Sequence, residues 1–222
     1  MRKLYHYPLC PFSRQIRILL VELGLEFLLK KEDVWIRNPN FLKLNPAGEL
    51  PVLIELSGNV ISDVYAIIEY LHDKYPNFYF LDEDSIINAE IRRILAWFNN
   101  KFYREVTKYA IDEKIVKTLT NQGPPKTEFL KAAQINLGYH FGYMTKILEL
   151  KCYLACDKIS VADIAAASHI SILDYFGLIT WKNYECIKNW YSLIKSRPSF
   201  RTILTDRVAG FVPSEYYVLL DF

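Results

Sequence analysis

Lys3-Leu4-Tyr5-His6-Tyr7-Pro8-Leu9-Cys10-Pro11-Phe12-Ser13-Arg14-Gln15-Ile16-Arg17-Ile18-Leu19-Leu20-Val21-Glu22-Leu23-Gly24-Leu25-Glu26-Phe27-Leu28-Leu29 changes its period twice. Lys3 to Tyr7 and Glu26 to Leu29 have the short, apolar-rich character of strands, and between them Phe12, Ile16, Leu19, Leu20 and Leu23 recur at helical spacing. Pro11 just inside the start and Gly24 just past the end punctuate that helix, because proline lacks only an N–H that the first turn would leave unpaired and glycine accepts a left-handed cap. The stretch predicts a β-α-β unit whose helix runs from Phe12 to Leu23.

Reading outward, Pro51 to Leu56 and Val60-Ile61 flank the turn Ser57-Gly58-Asn59 and predict an antiparallel hairpin. Val64, Ile67, Ile68, Leu71 and Tyr75 then keep one face of a second helix apolar; Ser62 or Asp63 can cap it and Pro76 ends it. From Asp82 onward strand signals give way to helical patterns, which places a domain boundary near residues 76 to 85. Asn121-Gln122-Gly123-Pro124-Pro125 breaks the helical run, and Leu130, Ala133, Leu137, Phe141, Met144 and Leu148 mark the next helix. Ile159-Ser160-Val161-Ala162-Asp163-Ile164 has the spacing of a capping box with a hydrophobic staple, so a buried helix is expected to start at Ser160 and close at Gly177.

With 222 residues, 51% of them hydrophobic and 15% aromatic, the chain has the apolar surface for a sizeable core and is neither disordered nor fibrous. The longest stretch free of charge, Ala132 to Thr145, is too short to cross a bilayer, and the N-terminus lacks an apolar signal core, so the expected location is the cytoplasm and no membrane association is expected. A net charge of +2 without a basic stripe argues against nucleic acid. Four cysteines fit free thiols in a reducing compartment. The four histidines share no ligand spacing and Cys152 and Cys156 have no partner pair, so no metal is expected.

Four segments, Tyr7 to Ser13, Leu44-Asn45-Pro46-Ala47-Gly48-Glu49-Leu50-Pro51-Val52-Leu53, Ser62 to Leu71 and Ile159 to Asp163, in that order, resemble the glutathione transferase family over essentially the whole chain. The resemblance implies an α/β thioredoxin-like N-terminal domain over 1–79, an all-α helical domain over 86–201 and an apolar tail over 202–222. It also implies a homodimer. Val34-Trp35-Ile36-Arg37-Asn38-Pro39, Ala96 to Thr107, Asp206-Arg207-Val208-Ala209-Gly210 and Leu219-Leu220-Asp221-Phe222 make the chain more similar to the FtsZ-localised, transferase-like members of bacterial cell division than to detoxifying ones.

Glutathione is the co-substrate that the resemblance implies. Cys10, at a helix start where N–H groups and the dipole favour a thiolate, resembles the cysteine that forms a mixed disulfide with glutathione; the position equally suits a small buried thiol. Ser13 resembles the hydroxyl of serine-type members, or is a capping hydroxyl, and Tyr7 is a third candidate or a core residue. Leu50-Pro51 resembles the family's cis-proline site, whose preceding residue offers its backbone to the cysteinyl part of glutathione; a bare reading gives a proline opening an edge strand. Asp63-Val64 matches the acidic-plus-serine pair for the γ-glutamyl end only in part, since Val64 has no hydroxyl and offers just its N–H.

Two functions follow from the resemblance: a platform that binds FtsZ filaments, for which Trp35, Asp221 and Phe222 are the partner-binding candidates, or an active transferase using Cys10. A stress- or transcription-associated adaptor is a third. The tail, with Phe211, Val212, Tyr216, Tyr217, Val218, Leu219, Leu220 and Phe222, needs cover, either from its own helical domain or from a partner.

Overall fold

The computed structural model describes residues 1–220 and divides them between two compact units, Met1–Tyr79 and a second that begins at Phe80. In unit 1, β1 (Arg2–His6), α1 (Pro11–Glu22) and β2 (Phe27–Lys31) form the expected β-α-β unit. A single 3-10 turn (Val34–Ile36), α2 (Pro39–Leu44), the hairpin β3 (Val52–Ile54) and β4 (Val60–Ser62), and α3 (Val64–Lys74) complete it. The sheet order is β2-β1-β3-β4, with β1 parallel to β2 and the other pairs antiparallel. α1 packs on β1 and α3, and α3 packs on β4. Leu4 and Leu53, paired across β1 and β3, are buried with Ile16, Leu19, Leu20, Ile67, Ile68 and Leu71.

Helix α1 ends as its sequence demands: Gly24 takes a φ of +65°, its N–H donates to Val21 O and that of Leu25 to Leu20 O, so two otherwise orphaned carbonyls are paired. Strand β2 extends past the expected Leu29 through Lys30 and Lys31, which β1 holds in parallel register up to His6–Lys31. It is an edge strand whose side chains are mostly exposed, where lysine is tolerated and blunts aggregation. Helix α2 is an addition to the expected elements. Asn38 caps it by accepting from Asn40 N at 3.0 Å, and Pro39 occupies its first turn.

Unit 2 is helical. α4 (Ser85–Ala96) runs without a break into a wide-turned π-helical stretch (Trp97–Thr107), α5 (Lys108–Ile111), a second wide stretch (Asp112–Val116) and α6 (Lys117–Leu119). After the Gly-Pro-Pro break come α7 (Thr127–Leu148), α8 (Val161–Tyr175), a 3-10 turn (Trp181–Asn183), α9 (Glu185–Lys195) and α10 (Pro198–Leu204). Every residue of α8 is buried, against α4, the first wide stretch and α9. The Ser160–Asp163 capping box is present as expected. His169 of α8 pairs with Asn99 Oδ1 at 3.1 Å and Thr107 Oγ1 at 3.0 Å from the wide stretch, and burial pushes its pKa down to about 3, so it is neutral.

Helix α10 ends at Leu204, inside the stretch expected as tail. Beyond it Tyr217 is buried while Val212, Tyr216, Val218 and Leu219 face solvent, so the unit covers part of that apolar segment and leaves part open. Asp221 and Phe222 lie outside the described residues. Among the described residues no helix is long and apolar enough to cross a membrane, and no group of His, Cys, Asp or Glu could hold a metal ion.

Candidate functional site

Strand register assembles the candidate site at one end of the unit 1 sheet. Tyr5 pairs with Val52, and Val52 pairs with Ser62. The end of β1, the start of β3 and the end of β4 therefore meet, carrying Tyr7 and Cys10, Leu50 and Pro51, and Asp63 and Val64 to the same edge. The Leu50–Pro51 bond is cis, and Pro51 O accepts the Asp63 N–H at 3.3 Å, tying the second and third of these segments together.

Cys10 is the N-cap of α1. Its sulfur accepts the Ser13 N–H at 3.4 Å, its own N–H donates to Tyr7 O at 3.0 Å, and Pro11 opens the first turn. This corrects one expectation: Ser13 does not cap the helix, because Cys10 already holds that place. The Ser13 hydroxyl is buried and makes no hydrogen bond of ordinary geometry, yet it acts on the neighbouring thiol. Of the two readings the sequence left open for Cys10, the structure favours the buried thiol. Burial pushes the Cys10 pKa up, and the Ser13 hydroxyl, the N–H groups of Ser13 and Phe12 and the charge of Arg14 do not overcome it. Part of Cys10 remains at the surface, but the sulfur is surrounded closely enough for desolvation to win. The helix-start address is therefore outweighed by burial at this thiol.

Tyr7 is buried, and its ring meets Trp35 edge-on at 5.0 Å with Lys31 Nζ 5.6 Å from its centroid. Trp35 thus belongs to the 3-10 turn after β2 and is anchored on the first strand's end, with part of its surface still open. An open cleft of about 390 Å³ borders that turn, lined by Lys31, Glu32, Asp33, Ile36, Asn38 and Pro39. Burial and, second, the charge of Asp33 push the Glu32 carboxyl up.

Asp63 lies at φ +82°, a conformation that costs a non-glycine residue on the order of 1–3 kcal/mol, and is the N-cap of α3, its Oδ1 accepting from Tyr65 N at 2.7 Å and Ala66 N at 3.3 Å. It is exposed, whereas Val64 is buried. Both N–H groups capped by Asp63 lie beyond Val64, so the first amide of α3 is not spent on the cap.

The supports of the site escaped sequence reasoning. Arg14 is fully buried and its Nε donates to Pro8 O at 2.8 Å, fixing the turn between β1 and α1. Asn45, also buried, donates to Glu49 O at 2.8 Å and accepts from Ala47 N at 3.2 Å, shaping the loop that delivers Leu50-Pro51. An Asn-Pro-x-Gly string is a legible turn former and could have pointed to Asn45; Arg14, one of several polar residues in α1, gave no comparable hint.

Arranged in this way, the edge offers the Leu50 backbone beside a cis proline, a helix start with a charged cap, and a cysteine, a set suited to holding a short peptide that carries a thiol. The family model for the glutathione S-transferase N-terminal domain matches residues 4–78 and that for the C-terminal domain residues 111–207. The chain is 40% identical over its whole length to FtsZ-localized protein A of Caulobacter vibrioides, covering 98% of that protein. Its fold matches a crystal structure described as a glutathione S-transferase from Rhodospirillum rubrum at a TM-score of 0.97 and 41% identity, with 100% of both chains covered. It also matches a structure described as FzlA from C. crescentus at 0.97 and 40%, covering 100% of this chain and 99% of the other. On sequence, domain match and structure together, the chain belongs to the glutathione S-transferase family.

Proposed function

We propose that this chain is a dimeric, cytoplasmic, transferase-like scaffold that binds FtsZ filaments during cell division, with weak or no glutathione chemistry. The observation that carries the reading is end-to-end similarity to a protein named for localisation with FtsZ, at 40% identity. Two features of the site support its chemical half. Val64 stands where the family supplies a hydroxyl to the γ-glutamyl carboxylate, and burial pushes the Cys10 pKa up. Trp35 is the proposed partner contact in unit 1, since aromatic residues anchored on one side and open on the other serve well as interface anchors; Asp221 and Phe222 are the proposed contacts at the C-terminus. The test is co-sedimentation. Purified protein is expected to pellet with FtsZ polymers assembled with GTP and to stay in the supernatant with unassembled FtsZ; no pelleting, under conditions where a known filament binder pellets, would overturn the reading.

The second reading, an active transferase or thiol transferase using Cys10 with Leu50, Pro51 and Asp63 positioning glutathione, is favoured by the cis bond at Leu50–Pro51 beside the cysteine-bearing turn. It needs a reactive thiolate. The raised thiol pKa predicts the opposite: Cys10 alkylation by iodoacetamide, followed by peptide mass spectrometry across pH, should rise with a midpoint above that of an ordinary thiol, about 8.5. A midpoint near 6 would restore the enzymatic reading.

A further inference from the structure

The C-terminal end of α8 is finished by a segment of chain far along the sequence. A helix leaves its last carbonyls unpaired; here the Gly177 and Leu178 N–H groups cap Asp174 O and Leu173 O locally, and Ser214 adds partners from far along the chain. Its Oγ donates to Asp174 O at 2.6 Å and its N–H to Tyr175 O at 2.9 Å. The side chains of the same two helix residues continue the attachment. Tyr175 OH donates to Phe211 O at 2.9 Å and accepts Val208 N at 3.4 Å. The Asp174 carboxylate holds Lys195 Nζ at 3.2 Å, and that ammonium donates onward to Tyr216 O at 2.8 Å. Two rings complete the contact: Tyr217 is fully buried, edge-on to Tyr175 at 5.0 Å, with its hydroxyl on Ile203 O at 2.9 Å, and Phe211 meets Phe176 edge-on at 6.1 Å. The other side of the segment faces water, with Val212 89% exposed and Val218 and Leu219 nearly half exposed.

What remains if this segment lifts away decides how it behaves. Lys195 and Asp174 are both buried, and burial pushes the Asp174 carboxyl up and the Lys195 ammonium down, so each charge depends on its partner. Neither partner leaves with the segment. Asp174 keeps Lys195, Trp181 Nε1 at 3.1 Å and Tyr191 OH at 3.4 Å, and its carbonyl keeps the Gly177 N–H at 3.0 Å. Opening therefore strands no buried charge. It breaks a row of hydrogen bonds and unseats two aromatic rings, Tyr217 from Tyr175 and Phe211 from Phe176, the scale of a local rather than a global transition.

We propose that residues 205–220 form a docked strap that opens from the end of α8 while the helices of unit 2 stay folded, and that Asp174, Tyr175 and Lys195 are the socket that sets its closed position. The strap fixes where the exposed Val212, Tyr216, Val218 and Leu219 are presented, and the socket stays assembled to receive it again.

Amide hydrogen exchange on the full chain tests this. In the double variant Ser214→Ala, Tyr175→Phe the Ser214 and Tyr217 amides are expected to exchange at least about tenfold faster than in wild type, with Ile170 to Leu173 in α8 changed by less than about twofold. Unchanged strap amides, or strap and α8 amides accelerating together, would overturn the proposal. Should the double variant fail to fold, wild type is followed in sub-denaturing urea. There the strap amides are expected to open with a smaller urea dependence than the α8 amides, and coincident opening would overturn it.

Discussion

Asp163→Ala is expected to remove on the order of 4–6 kcal/mol from the stability of unit 2. The side chain is fully buried. Its Oδ1 accepts Leu154 N at 2.9 Å and Trp190 Nε1 at 3.1 Å, and its Oδ2 accepts Ser160 N and Ser160 Oγ, both at 3.0 Å. Burial pushes the carboxyl up and these four donors pull it down. Alanine strands all four in a site without water access, and a buried donor left unmade costs about 1–3 kcal/mol. The penalties are not additive because the capping turn relaxes as one piece. Domains are stable by roughly 5–15 kcal/mol, so the variant is expected near or below the folding threshold. Urea unfolding followed by circular dichroism reads the loss, with Asp163→Asn, which keeps one acceptor, falling between the two. A loss under about 1 kcal/mol for alanine would mean that the donors find other partners and that the carboxylate is not the knot tying α8 to α9 and the preceding loop.

That residue shows how much was legible. The Ser160–Asp163 spacing announces a capping box, and the box is there. Nothing local announces Leu154 or Trp190, which reach the same carboxylate through the tertiary fold. Unit 1 follows the same division. Period changes, Pro11 and Gly24 place α1 to within a residue at each end, and turn chemistry places the hairpin. Helix α2 was passed over because six residues with one buried apolar side chain, Phe41, give too little periodicity, although Asn38-Pro39 is a readable start. The π-helical stretches were illegible in principle: a slightly wider turn shifts the apolar repeat too little to separate it from an ordinary helix.

In the candidate site, only the resemblance to the glutathione transferase family put Cys10, Pro51 and Asp63 together; the β1–β3 pairing that joins the β-α-β unit to the hairpin has no local signal in the sequence. The state of Cys10 stayed open in the sequence, between a thiolate address and a small buried thiol. A helix start lowers a thiol pKa, burial raises it, and only the packed structure says which is larger. Conversely, the departure at Val64 was visible in the sequence alone, and the structure adds that the side chain is buried while the Asp63 cap takes the two amides beyond it.

Val64→Ser is accordingly expected to tighten glutathione binding roughly ten- to hundredfold. The chain already brings a cis Leu50–Pro51, an exposed Asp63 and the start of an eleven-residue helix to one edge. On the proposed reading, what it lacks for a γ-glutamyl carboxylate is a hydroxyl, and one hydrogen bond to a charged group is worth about 1.5–3 kcal/mol, which converts to that range of affinity. Serine is smaller than valine at a buried position, so some stability is expected to be lost, on the order of 1 kcal/mol, without loss of fold. Titration calorimetry of wild type and variant with reduced glutathione gives the answer, and FtsZ co-sedimentation of both proteins separates the two halves of the proposal. Absent or weak binding by wild type, a gain in the variant and equal pelleting of both with FtsZ polymers would identify a scaffold whose peptide site has lapsed through one side chain. Micromolar binding by wild type would reject the lapsed-site reading and return Cys10 to consideration as the partner of a bound thiol. If the variant gains nothing, the deficit lies in the buried setting of residue 64 and not in the missing hydroxyl, since a hydroxyl turned into the core cannot reach a carboxylate at the helix start.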